Sequence, residues 1–221
     1  MAAQCAAGEF SQFEFSMRLV FAAGLVFFAA VRAYPDTTDP GQSVTVLVDF
    51  EKPYSDVSID ALRHELQTLF APSGLKIDLR LKNQLPPGAE FNQLVVFKMK
   101  GACSMVAMPI GALSDERGPL AMTYSSDGEL LHFGEVECDR VRHSLQRVLG
   151  KGYPEKRQTA LGMALGVVMA HEMYHMMANA KGHTADGLTK HSLSAEEMLA
   201  GDLSIPDVAR RAVQHGSGSP H

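Results

Sequence analysis

The sequence has no tryptophan, only three cysteines, no cluster of lysine and arginine, and no uncharged apolar run long enough to span a bilayer. Each absence excludes something. Without a basic block, and with a net charge of -5, the chain lacks the electrostatic footprint that nucleic acid or an anionic membrane surface demands. The missing tryptophan removes one common stacking device for sugars and bases. The longest apolar stretch, residues 19–31, would make about 20 Å of helix against a hydrocarbon core of ~30 Å, which argues against stable membrane insertion. No internal repeat is present.

What remains is the composition of a globular protein: 221 residues, 46% apolar and 20% charged, enough for one domain with a real core. Met17-Arg18 precedes the apolar run, and Val31-Arg32-Ala33 closes it with small residues where a signal peptidase reads. A basic start, a short apolar stretch and a small-x-small end predict a secretory signal peptide over residues 17–33 and a secreted or periplasmic mature chain. Residues 1–16 carry Glu9 and Glu14 but no Lys or Arg, so they read as an upstream extension, with Met17 the expected start. Cys5 lies before the predicted cleavage. The mature chain keeps Cys103 and Cys138, an even pair expected to form one disulfide, with two buried thiols as the alternative.

The expected mature chain is a single domain over residues 34–213 with a flexible tail at 214–221. Strands are predicted at 44–50, 75–81 and 93–99, and a hairpin over 120–124 and 130–136 turning at Ser126-Asp127-Gly128. Helices are predicted at 56–70, at 138–149 with Val141, Leu145 and Val148 on one side, at 155 to about 180, and from Ser194 onward. This order predicts an α+β (mixed α/β) domain: a twisted sheet of about four to five strands packed on a long buried helix.

That helix contains His171-Glu172-Met173-Tyr174-His175. His171 and His175 stand at i and i+4, so both imidazoles leave one helix face and can reach one tetrahedral zinc. Glu172 lies about 100° further round, beside such a metal without having to ligate it, where a base could take a proton from an activated water. Residues 160–170 are almost wholly apolar, as in a helix buried on all sides. With nine His in the chain, the chance expectation of this motif is roughly 0.02. The alternatives are two His serving packing or solubility and a non-catalytic zinc site; Glu172 argues against the latter, because a closed structural site has no use for a charged carboxylate beside the metal. His64, His132, His143, His215 and His221 read as solvated surface residues.

These residues resemble the zincin superfamily of metallopeptidases, over roughly residues 155–202, and the whole is similar to short exported bacterial HExxH proteins. The resemblance implies bound zinc, hydrolysis of a peptide or protein substrate, and Glu172 as the water-activating base. Metzincins continue H-E-x-x-H-x-x-G-x-x-H and close the site with a Met-turn. Here Ala178 replaces that Gly, Lys181 stands where the third His falls, and Met198, the only later Met, belongs to the last helix. His183 is the expected third ligand: a helix ending near Lys181, a reversal at Gly182 and a return to the metal. The rival is a gluzincin arrangement using Glu196 or Glu197, although Ser194-x-x-Glu197 reads as a capping box that occupies Glu197; His191 and Asp186 are further alternatives. In zincins the substrate adds as a strand to a sheet edge, for which residues 120–124 are the candidate. Tyr124, Tyr153 and Tyr174 are candidate transition-state donors. A reading from another class is a metal- or partner-binding module with a degenerate site.

Secreted material should therefore begin at Tyr34 and offer no alkylatable thiol until reduced. Intact-mass measurement with and without reductant checks both; a species retaining residues 17–33, or two thiols reactive without reduction, would overturn the export reading.

Overall fold

The computed structural model describes residues 43–106, 118–150, 153–205 and 211. The predicted signal segment, the upstream extension and the tail lie outside them.

Five strands form one mixed sheet: β1 (Ser43–Phe50), β2 (Lys76–Leu81), β3 (Leu94–Lys100), β4 (Ala121–Ser126) and β5 (Glu129–Glu137). Their order is β2-β1-β3-β5-β4. The first four in that order run parallel; β4 pairs antiparallel with β5. Parallel neighbours need a crossover, and between β1 and β2 it is helix α1 (Asp56–Phe70). The β4–β5 hairpin turns through Asp127 and Gly128, both at positive φ (53° and 89°), the pair of conformations a tight hairpin with matched twist requires. Along the central strands alternate residues are buried: Val44, Val46 and Val48 on β1, Val95, Phe97 and Met99 on β3. The side chains between them are half-buried, so one face of the sheet carries the core.

Helix α2 (Cys138–Leu149) follows β5 directly, then α3 (Pro154–Ala178) and α4 (Ala195–Ala200). The α+β architecture and the long buried helix thus match expectation. Val148 departs from it: Val141 and Leu145 are buried but Val148 is 40% exposed, and the buried polar residue of α2 is Arg142 instead. Arg142 Nη1 donates to Asp139 at 2.8 Å and to the Ala102 carbonyl at 3.1 Å. Cys103 and Cys138 meet as a disulfide with Cα atoms 5.1 Å apart. The bond ties the chain just past β3 to the first residue after β5, and closing a loop of 35 residues contributes about 4 kcal/mol in the chain-entropy description.

Helix α3 runs between α1 and the hairpin, touching both. Glycines set its depth on the α1 side. A Cβ at Gly162 would fall 2.2 Å from the Ser58 carbonyl oxygen and 2.6 Å from Ala61 Cβ, and one at Gly166 would fall 2.7 Å from Glu65 Cβ. On the sheet side, a Cβ at Gly134 of β5 would fall 2.9 Å from Met176 Cε. Near its start α3 is fastened by Gln158, which accepts from Met105 N at 3.0 Å, donates to Ser104 Oγ at 2.9 Å and lies within 3.0 Å of Ser58 Oγ.

Because the obstacle at Gly162 is backbone, Gly162→Ala forces α1 and α3 apart and should lower stability by about 1–3 kcal/mol. Denaturant unfolding measures it; an unchanged midpoint would mean that the two helices have room to spare.

Candidate metal centre

The last two turns of α3 carry His171, Glu172 and His175, and the chain reverses just beyond. The reversal differs from expectation. The helix stops at Ala178, and Asn179, not Gly182, takes the left-handed conformation (φ 44°, ψ 39°). Gly182 is not among the residues at positive φ. Asn is the non-glycine residue that most readily tolerates this region, so it caps the helix three residues earlier than a glycine-based reading places the stop. Its Oδ1 accepts from Leu130 N of β5 at 3.4 Å, anchoring the cap to the sheet.

The early reversal lays Ala180 back over the final turn. Its N–H donates to the His175 carbonyl at 3.1 Å, and its own carbonyl accepts from His175 Nδ1 at 2.5 Å. His171 is held in the same way: its Nδ1 donates to the Leu188 carbonyl at 2.8 Å. Leu188 is fully buried and anchors the returning loop, where its N–H donates to the Ser204 carbonyl at 3.2 Å. A carbonyl can only accept, so both rings carry their proton on Nδ1 and present a lone pair at Nε2.

Those two Nε2 atoms face each other at 3.0 Å. Two lone pairs so close repel unless a cation or an added proton lies between them. A proton is disfavoured at His171, where burial and neighbouring His175 together pull the imidazole below its usual range against the opposing Leu188 hydrogen bond. His183 joins them from the exposed loop, with its ring 5.3 Å from His171 and 4.8 Å from His175 between centroids. Desolvation, then His175 and His171, lower its proton affinity as well. The ligating atoms of the three imidazoles lie within 4.8 Å of one another, and together they could hold a metal ion. The donor set fits one: two fixed tautomers with carbonyl support behind them, as metal-binding histidines have, and a third ring within reach.

Glu172 is buried, and its Oε2 accepts a 2.6 Å hydrogen bond from Thr123 Oγ1 on β4. Desolvation raises its proton affinity; the Thr123 hydrogen bond, His175 and His183 oppose the rise. A cleft of about 530 Å³ opens in front of it between β4, α3 and the loop ending at Leu193. Val168, Leu120 and Leu193 supply apolar wall, and Lys181, Lys190 and His191 the polar part.

The alternatives to His183 are placed elsewhere. Glu197 closes a capping box with Ser194 and pairs with Lys190 Nζ at 2.6 Å. Glu196 and Asp186 are exposed and do not join the histidine group. His191 lines the cleft with its ring 4.8 Å from that of His183, yet outside the ligand group. None of the three candidate tyrosines is among the residues lining the cleft: Tyr174 is buried, Tyr153 is 77% exposed, and Tyr124 packs at a tilt against Phe133, 5.3 Å between ring centroids. His64 and His132 are exposed as expected, while His143 is half-buried. His215 and His221 lie outside the described residues. Sequence reasoning missed Thr123, Leu188 and Ala180. The last two act through backbone atoms and leave no side-chain signature.

No family model matches the chain, and no curated protein matches it significantly.

His183→Ala should weaken binding of a titrated divalent metal by more than the ~10–100-fold typical of losing a supporting residue, because it removes a donor outright. Glu196→Ala and Glu197→Ala should leave it nearly intact. Gly182→Ala should be close to neutral, since a Cβ there meets nothing within 4 Å and no positive φ is involved. Loss of metal in a glutamate variant with retention in His183→Ala would reverse the assignment.

Proposed function

We propose that the chain is a zinc-dependent peptidase of zincin type, with His171, His175 and His183 as ligands and Glu172 as general base. The observation that carries this reading is the carboxylate of Glu172, buried beside three convergent imidazoles and facing a cleft walled by a sheet-edge strand. Imidazole donors suit zinc, and three protein ligands leave the fourth position that a catalytic site needs. When bound, zinc supplies Lewis acidity to the scissile carbonyl and to the attacking water.

The remaining chemistry belongs to the chain. Glu172 lies beside the imidazoles with its Oε2 held by Thr123, where its carboxylate can take the proton of the attacking water and pass it to the leaving amine. Among the described residues β4 pairs with β5 alone, and its other side offers unpaired backbone groups to an extended peptide. Val168 and Leu193 keep the cleft wall apolar, and His191 is the ring donor facing the same space. No helix among the described residues is long and apolar enough to cross a membrane.

Glu172→Gln tests the assignment. It should keep near-stoichiometric zinc by metal analysis while losing cleavage of a peptide library by about 10²-fold or more, the range of general base catalysis. Loss of zinc instead would make Glu172 a ligand. A wild-type chain that binds zinc and cleaves nothing would leave a metal-binding module.

A further inference from the structure

Glu172 has one side-chain hydrogen-bond partner among the described residues, the hydroxyl of Thr123. That hydroxyl belongs to the edge strand. Two features of the hairpin lie beside it. Thr123 pairs with Gly134, and the missing Cβ at Gly134 leaves room for the tip of the Met176 side chain, one turn after Glu172 on α3. On the same stretch of β4, Thr123 Oγ1 donates to the Glu172 carboxylate at 2.6 Å. Immediately beyond, the β4–β5 register shifts between Thr123 and Ser125, an irregularity of the kind that re-aims side chains beside functional sites.

We propose that Thr123 is the positioning residue of the site: its hydroxyl pins Glu172 Oε2 to the edge strand, keeping the carboxylate off the metal and leaving Oε1 to act on water. This rests on the peptidase reading and deepens it. A carboxylate beside a metal held by three imidazoles is itself a competent ligand, and one swung onto the ion would both fill the open position and lose its role as base. A charge-assisted hydrogen bond from a hydroxyl opposes that swing. The same hydroxyl links the base to the strand on which a substrate would lie, so that base and scissile bond share one reference frame.

Thr123→Val removes the hydroxyl at nearly constant shape, and Thr123→Ser keeps the hydroxyl without the methyl. With a cleaved library peptide, Thr123→Val should lower kcat by about 10–100-fold, the effect of one hydrogen bond to a charged group, with KM changed by less than about threefold. Thr123→Ser should recover most of the loss. In the cobalt-substituted protein the visible spectrum of Thr123→Val should change as the freed carboxylate reaches the ion. That of Thr123→Ser should resemble wild type, and adding Glu172→Gln to Thr123→Val should abolish the change. Wild-type kcat and spectrum in Thr123→Val would overturn the proposal. So would equal impairment of the Val and Ser variants, which would mark a purely structural role. A wild-type chain that takes up cobalt but cleaves no peptide sinks the peptidase reading, and the spectra then decide the role of Thr123 on their own.

Discussion

The hydrogen bonds that His171 and His175 donate to the carbonyls of Leu188 and Ala180 set the condition on which the centre depends. An imidazole on a helix can rotate, change tautomer or take a second proton, and in any of those states it is a poor ligand. Backbone carbonyls remove that freedom without adding a titratable group to the site. They also link the centre to the fold. Leu188 is in place because it is buried, and Ala180 because Asn179 has turned the chain. The cost of orienting two rings is thus met largely by packing that the domain forms in any case.

Depth is the second constraint, and on the α1 side of α3 glycine governs it. Gly162 and Gly166 let α1 approach to near backbone contact, while on the hairpin side Gly134 leaves room for the tip of the Met176 side chain. Between them the helix has little room to slide or roll, since interiors are close-packed and resist displacement. Side chains at the end of such a helix inherit its fixed position, which precise chemistry needs. The buried polar contacts of Gln158 add a lock near the other end of the same helix.

Much of this was legible in the sequence. Alternating and helical periodicities located the five strands and four helices of the described residues to within a few residues, and the Asp127-Gly128 turn was read from residue type alone. The His-Glu-His core followed from spacing, the third ring at His183 from the resemblance to metzincins, and the Cys103–Cys138 pair from counting. What escaped reading was non-local or carried by the backbone. Asn179 took a reversal assigned to Gly182, because propensity ranks Gly above Asn while tertiary contact with Leu130 decides between them. Thr123 is an unremarkable strand residue until β4 is folded beside α3. Leu188 reads only as a lone apolar residue in a loop, and it is its carbonyl that meets His171.

The edge strand has a consequence for how copies of this chain meet each other. An unpaired strand edge does not distinguish a foreign extended segment from the same edge of a second molecule, and a long flat one invites endless pairing. Among the described residues β4 has six residues, and its pairing with β5 is irregular past Thr123, so little straight edge remains for another copy to match. Shortness and irregularity of that strand thus limit the length of sheet that a second copy could build on it.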